Sequence, residues 1–139
     1  MQDLINIFDT HSHYDDPRFD GVREELVASL FDRGISGIIH AAVDFKSSEY
    51  GTAAAKSYEK YYAAVGIHPE NLYDAQGDYI NRLREAALSC KKVVAIGEIG
   101  LDYHYEGYDR EAQIKVFREQ IVLANELSLP IIVHCRDAV

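Results

Sequence analysis

Short apolar runs alternate with longer amphipathic segments along the chain. The apolar runs predict five strands, at residues 4–8, 35–43, 62–67, 92–97 and 130–134. In the segments between them, apolar residues recur three or four positions apart, which is the spacing of one helix face. These segments predict four helices, at residues 21–33, 47–61, 77–89 and 109–127. The last helix has the clearest apolar stripe, formed by Ile114, Phe117, Ile121, Ala124 and Leu127.

The alternation of strand and helix indicates one α/β domain with a parallel sheet covered by helices on both faces. Two architectures contain five such strands in a row. One is an open, doubly wound sheet, for which a chain of 139 residues is a natural length. The other is a TIM-type (β/α)8 barrel. A whole barrel takes ~250 residues, so this chain would supply only about its first five strands.

The placement of reactive side chains favours the barrel. Four of the predicted strands have such residues at or just beyond their C-terminal ends, namely His11 with His13, His68, Glu98 and His134. In an open sheet of strand order 2-1-3-4-5, the first and fifth strands lie ~14 Å apart. Metal ligands must approach their ion to ~2 Å, and a barrel brings opposite strand ends to one axial pocket. We therefore predict that residues 1–139 form a single domain, the N-terminal portion of a (β/α)8 barrel, truncated after the fifth strand.

The histidine pair and the glutamate indicate a metal site. His11 and His13 are two residues apart, so in an extended strand both rings point to the same face. Imidazole is a common ligand for zinc and other divalent ions. Glu98 ends an apolar strand, where a carboxylate is costly unless it is paired or bound to a cation.

Composition limits the other functions. The net charge of −9 argues against a broad basic surface for nucleic acid, so a nucleic-acid substrate would be held locally, at bound cations. The two cysteines form no metal-binding motif, and the N-terminus lacks the pattern of a signal peptide. No apolar run approaches the ~18 residues of a membrane span. We expect a soluble, cytoplasmic protein that does not interact with membranes.

Four ordered strings resemble the TatD family of metal-dependent deoxyribonucleases, within the amidohydrolase-like barrels. They are DTHSHYD at 9–15, GIHPE at 66–70, GEIGLDY at 97–103 and PIIVHCRDA at 130–138. The resemblance implies a site for two divalent ions, such as magnesium, manganese or zinc. It implies that His11 and His13 bind the first ion, that the catalytic Glu98 bridges both, and that His134 binds the second. The implied reaction is hydrolysis of DNA phosphodiester bonds by metal-activated water.

Three further residues are candidates for contacting the substrate. His68 resembles the histidine of the family's GxHP motif and either contacts a phosphate or caps the loop. Arg136 either clamps a phosphate through its planar fork or pairs with Asp102 or Asp137. His104 lies in a tyrosine-rich loop that either stacks on a splayed base or only packs against itself.

The chain departs from the family pattern at its end. The family completes its site with another histidine on the next strand and an aspartate on the last strand, and this sequence stops at Val139, before either. Alternatives therefore stay open: an amide or ester hydrolase, an aminoacyl-RNA deacylase, or an inactive truncated fragment. The open edges of the first and fifth strands could pair with a missing C-terminal barrel segment or with another copy.

Overall fold

The computed structural model describes residues 6–138, in which five strands alternate with four α-helices. The strands are β1 (Ile7–Ser12), β2 (Ile35–His40), β3 (Tyr61–Val65), β4 (Val93–Asp102) and β5 (Ile131–Arg136). The helices are α1 (Arg23–Asp32), α2 (Phe45–Ser57), α3 (Tyr79–Leu88) and α4 (Arg110–Leu127). Short 3-10 turns lie at Pro17–Phe19 and Leu72–Asp74.

The strands form one parallel sheet in the order β1-β2-β3-β4-β5. This sequential order differs from the 2-1-3-4-5 order of the doubly wound alternative. In a flat sheet, β1 and β4 would be three strand spacings apart, or about 14 Å. The side chains of His11 on β1 and Glu98 on β4 nevertheless meet at 3.1 Å. The sheet is therefore strongly curled, as in a barrel wall.

The strands that carry the candidate ligands run further than the sequence predicts. His11, Glu98 and His134 all lie inside strands, because β1 continues to Ser12, β4 to Asp102 and β5 to Arg136. Pairing in a barrel continues through polar residues when their side chains face the central pocket, and the apolar runs alone do not reveal this. In contrast, β2 and β3 end earlier than predicted. Residues 4 and 5 of the first predicted strand lie outside the described residues.

Capping residues explain where two helices begin. The Asp44 side chain accepts a hydrogen bond from the backbone N–H of Ser47 at 2.7 Å, so α2 begins at Phe45, before the predicted start. Asp109 caps α4 in the same way, so α4 begins at Arg110 and not at the predicted residue 109. α2 ends at Ser57 and not at the predicted residue 61, because Tyr61 already begins β3. Within residues 6–138, none of the helices combines the length and apolar character needed to cross a membrane.

The buried face of α4 differs from the predicted stripe. Its buried residues are Gln113, Val116, Gln120, Leu123 and Ala124. Most of the predicted stripe is only partly buried at the border of this face. Two of the buried residues are glutamines, whose amides bond to the sheet, and an apolar pattern cannot locate them.

Two glycines let the strands approach each other around Glu98. A Cβ atom on Gly66 would lie 3.0 Å from the backbone of Gly97. A Cβ on Gly100 would lie 1.9 Å from the carbonyl oxygen of His134, and Gly100 has a φ of +154°. Any larger residue at position 100 would therefore push β5 away from β4.

Candidate metal centre

The two β1 histidines converge on one oxygen of Glu98. The Nε2 atoms of His11 and His13 lie 3.1 Å apart. They approach Glu98 Oε2 at 3.1 and 3.4 Å, respectively. Both side chains are about two-fifths exposed, at 41% and 39%. The i, i+2 spacing thus places both rings on one face, as the sequence analysis predicts.

The Glu98 carboxylate lies between two groups of histidines. Its side chain is only 8% exposed, and its second oxygen, Oε1, lies 3.0 Å from Nδ1 of His134. Its backbone N–H donates to the carbonyl of Ala42 at 2.7 Å, beyond the end of β2. Burial alone would raise the pKa of Glu98, but the hydrogen bond from His13 and the charges of nearby histidines outweigh it and lower the pKa to about 2. The carboxylate is therefore ionised.

Asp102 fixes the ring of His134, whereas the sequence indicates Asp102 only as a possible partner of Arg136. Asp102 Oδ2 lies 2.8 Å from Nε2 of His134, and the Asp102 side chain is 1% exposed. Burial would raise the pKa of Asp102, but hydrogen bonds from Arg136 and from the backbone of His104 lower it to about 2. An ionised carboxylate only accepts, so Nε2 must carry a proton. In the neutral form of the ring, Nδ1 then presents a lone pair to Glu98.

Arg136 pairs with Asp102 and not with Asp137. Its Nε and Nη2 atoms lie 2.8 and 2.7 Å from Asp102 Oδ2, and Nη2 also contacts Glu70 at 3.4 Å. These contacts raise the pKa of Arg136, because the hydrogen bond to Asp102 stabilises its charge. A signal for Asp102 exists in the sequence. It is four residues after Glu98, so both lie on one face of β4, and its register partner on β5 is Arg136.

His68 follows β3 and packs against His134, with ring centroids 4.2 Å apart. Its side chain is buried, and its Nδ1 accepts a hydrogen bond from the backbone N–H of Glu70 at 3.1 Å. Burial, followed by the charge of His134, lowers the pKa of His68 to about 4. The neutral ring therefore carries its proton on Nε2. In this state His68 offers an N–H donor to an anion and no free lone pair to a cation.

Two buried glutamines of α4 hold strand ends next to these residues. Gln120 accepts from the backbone N–H of Ile67 at 2.8 Å and donates to its carbonyl at 3.0 Å. Gln113 bonds the backbone of Asp102 in the same two-point manner, at 2.8 and 2.7 Å. The helix thereby fixes the residue before His68 and the residue that orients His134. Sequence reasoning missed both glutamines.

His104 is placed apart from the candidate ligands. Its Nδ1 lies 2.7 Å from Asp137 Oδ2, and both side chains are more than half exposed. It belongs to residues 103–108 between β4 and α4, here called the tyrosine loop. The structure thus brings His11, His13, Glu98, His134 and His68 together, with Arg136 behind them, and leaves the ring of His104 at the rim.

A cleft of about 710 Å³ opens beside the centre. His13, His68, Glu98 and His134 line it on one side. The opposite side comes from the segment after β1 and from the start of α2. Two of the cations there are paired with neighbouring aspartates, Arg18 with Asp16 and Arg23 with Asp20. The volume lies within the range of small-ligand sites.

The donor set fits divalent cations. Two overlapping groups have nitrogen and oxygen atoms within 4.8 Å of one another, and Glu98 belongs to both: His11, His13 and Glu98, and His68, Glu98 and His134. Because His68 keeps its proton on Nε2, the second group offers a cation only Glu98 and His134. Nδ1 of His134 lies 3.0 Å from Oε1 of Glu98. In the neutral imidazole and the ionised carboxylate both atoms carry a lone pair, so they repel each other. Only a proton or a cation relieves such a contact. Histidine and carboxylate ligands suit several divalent metals.

Comparison with known proteins agrees with this architecture. The sequence profile of a family described as TatD related DNase matches residues 8–139. The metal-dependent hydrolase YabD of Bacillus subtilis, described as uncharacterized, is 36% identical over 132 residues, which are 95% of this chain and 51% of YabD. The 3'-5' ssDNA/RNA exonuclease TatD of Cronobacter sakazakii is 35% identical, across 95% of this chain and 50% of that protein.

Solved structures show the same similarity. The TatD homolog YjjV of Escherichia coli superposes with a TM-score of 0.86 at 35% identity, covering 94% of this chain and 51% of YjjV. A TatD family hydrolase of Entamoeba histolytica superposes with a TM-score of 0.83 at 25% identity, covering 96% of this chain and 51% of that protein. The predicted fold, part of a (β/α)8 barrel, is confirmed. The chain spans about half the length of the relatives it matches.

Proposed function

The chain belongs to the TatD related DNase family, and from this premise we propose that it contributes the metal-binding half of a nuclease that hydrolyses DNA phosphodiester bonds. One observation carries the proposal. The two oxygens of the buried Glu98 carboxylate face different histidine groups, Oε2 the β1 pair and Oε1 His134. A carboxylate divided in this way is suited to bridge two cations a few ångströms apart, which is the arrangement of two-metal phosphodiesterases.

We assign two divalent cations to the centre. His11, His13 and Oε2 of Glu98 would hold the first, and His134 and Oε1 of Glu98 would hold the second. Such ions supply Lewis acidity and lower the pKa of water towards ~7. Magnesium, manganese and zinc are the candidates, since the ligand types suit each of them.

The other residues act on the substrate or orient the ligands. Asp102 keeps the proton of His134 on Nε2, so that Nδ1 remains a ligand atom. His68 donates its Nε2–H to a non-bridging phosphate oxygen. The guanidinium of Arg136, held by Asp102, places a positive charge behind the same phosphate. We assign to His104 a weaker contact at the rim, through the ring nitrogen that does not face Asp137.

The substrate is proposed to be single-stranded. Several relatives are named 3'-5' ssDNA/RNA exonucleases. The net charge of −9 provides no broad basic surface, so affinity for nucleic acid must come from the metal centre and from local contacts. RNA is the second polymer to test, because these relatives are named for both DNA and RNA.

The test uses the full-length protein, freed of metal and then supplied with magnesium, manganese or zinc. Substrates are end-labelled single-stranded DNA, single-stranded RNA and an aminoacylated RNA. We expect DNA hydrolysis with at least one metal, loss of activity in EDTA, and loss of activity in the double variant with His11→Ala and His13→Ala. Glu59→Gln, an exposed carboxylate before β3, is the matched control.

Two outcomes would contradict the proposal. Nuclease activity that persists in EDTA would exclude the role of the metals. Metal-dependent cleavage of the acyl bond with intact DNA would assign the centre to the acyl hydrolases instead.

A further inference from the structure

The tyrosine loop presents aromatic rings that the centre described above does not use. Tyr103 and Tyr108 stack face to face, with ring centroids 4.7 Å apart and planes inclined by 17°. The guanidinium of Arg110 lies 5.3 Å from the Tyr103 ring. Tyr108 is 44% exposed and Tyr105 is 55% exposed. Aromatic rings as exposed as those of Tyr105 and Tyr108 contribute little to the core. The six residues of the loop contain three tyrosines, so the rings form a cluster.

The loop is joined to the metal centre through one arginine. The guanidinium of Arg136 lies 4.6 Å from the centre of the Tyr105 ring. The same guanidinium is fixed by Asp102, whose carboxylate also contacts Nε2 of His134. Tyr105 is thus connected to His134 through Arg136 and Asp102, by three successive side-chain contacts. The tyrosine loop therefore lies at the rim of the centre, behind His134.

Exposed aromatic faces next to planar guanidinium groups are the surfaces on which unpaired bases stack. Stacking tolerates any base, because each base has a π-face. It also needs no broad basic surface, which this acidic chain does not have. Bases of a duplex are stacked on each other and are not available for such contacts. The loop therefore fits a single strand.

We propose that Tyr105 and Tyr108, supported by Tyr103 and Arg136, form a stacking platform for the bases next to the hydrolysed phosphodiester bond of a single-stranded nucleic acid. This inference rests on the proposed nuclease function and adds a binding site to it. It assigns the preference for single strands to this loop.

The test compares a ten-nucleotide single-stranded DNA with an oligomer of equal length made of abasic units. Both are given to the full-length protein with its activating metal. Tyr105→Ala should raise KM for the normal strand by about tenfold to a hundredfold, the range of base–aromatic stacking, with little change in kcat. Tyr105→Phe keeps the ring and should restore KM. Glu106→Ala, an exposed neighbour in the same loop, is the control for loop disturbance.

The abasic oligomer decides the interpretation. Its KM should be the same for all variants, because it has no bases to stack. An equal rise in KM for both oligomers, or no change for the normal strand, would overturn the platform. A change in oligomeric state of Tyr105→Ala on size-exclusion chromatography, without an effect on DNA, would assign the loop to a protein interface and overturn it as well.

A separate readout distinguishes failure of the platform from failure of the nuclease proposal. A DNA strand containing 2-aminopurine loses fluorescence when that base stacks on an aromatic ring. Quenching by the unmodified protein that is lost in Tyr105→Ala supports the platform even if no strand is hydrolysed with any metal. Hydrolysis without any quenching would overturn the platform and leave the nuclease proposal intact.

Discussion

The two sides of Glu98 differ in how firmly their histidines are held. On the β1 side, His11 and His13 are about two-fifths exposed, and their ring nitrogens contact each other and Glu98. On the β5 side, His134 is 19% exposed and its second nitrogen is fixed by the buried Asp102. Asp102 is in turn held by Arg136 and by the amide of Gln113.

The two sides thus differ in two properties: the number of ligand atoms that they offer, and the order of those ligands, meaning how firmly they are oriented before a cation binds. The β1 side offers two imidazoles and one carboxylate oxygen to a cation. The β5 side offers one imidazole and one oxygen, because the proton of His68 occupies Nε2. The β5 ligands, however, are already oriented and lose little freedom when a cation binds. Removing one ligand from either side therefore tests whether number or order determines how tightly each cation is bound.

The largest effect is expected from Glu98→Gln, because both groups share this carboxylate. An amide removes the negative charge that both cations would share and leaves a single ligand oxygen in place of two. The loss of several kcal/mol of stabilisation by the metals corresponds to about a 10³-fold fall in kcat. Elemental analysis should find that the dialysed protein has lost both ions. Retention of either ion at full occupancy would contradict a bridging role.

The next largest effect separates the two sides. His13→Ala and His134→Ala should each leave about one ion per protein, against the two proposed for the unmodified protein. If ligand number dominates, His134→Ala retains its ion more tightly, and if order dominates, His13→Ala does. Isothermal titration calorimetry with the metal-free variants gives both affinities. His104→Ala should bind metal normally, and loss of both ions from either single variant would refute two separable groups.

A smaller effect is expected from Asp102→Asn. The amide no longer fixes the proton of His134 on Nε2, and loss of such an orienting carboxylate typically lowers metal affinity by about 10- to 100-fold. The decrease should affect only the second ion, so the calorimetric titration should show one weakened and one unchanged step. Asp137→Asn, which alters an exposed carboxylate beside His104, serves as the control. Equal weakening of both steps would show that Asp102 supports the whole fold and does not specifically orient His134.

The smallest effect is expected from Gln120→Met. Methionine has a similar size but no amide, so the N–H and the carbonyl of Ile67 are left buried without their partner. Such a loss costs about 1–3 kcal/mol of unfolding free energy, measurable by urea denaturation of the metal-free protein. Gln76→Met, at an exposed glutamine, should be neutral. An unchanged unfolding free energy in Gln120→Met would mean that the backbone at Ile67 finds another partner.

The sequence predicts the fold well because alternation of apolar runs and helical stretches is a property of the whole chain. It predicts strand ends poorly, because the residues that line the pocket are polar. Glu98 and Asp102 lie within β4 although the apolar run stops at Gly97. The parallel ladder does not depend on hydrophobicity, and it continues wherever the neighbouring strand supplies backbone partners.

The candidate site can be predicted from the sequence where it depends on residue motifs. It cannot be predicted where it depends on hydrogen bonds between residues far apart or to the backbone. His11, His13, Glu98 and His134 stand out by residue type and by their place at strand ends. The proton position of His68 depends on the backbone N–H of Glu70, which no motif encodes. The role of Gln120 depends on Ile67, which follows β3 and lies 53 residues earlier in the chain.

The two glutamines of α4 also have a consequence for motion. They are seven residues apart, which is two helical turns and about 10 Å along the axis. Their amides cover the backbone N–H groups of Ile67 and Asp102. Neither N–H can exchange with solvent until α4 moves away from the sheet. Opening beside His68 and opening beside His134 are therefore one event, and hydrogen exchange should report a single rate for both positions.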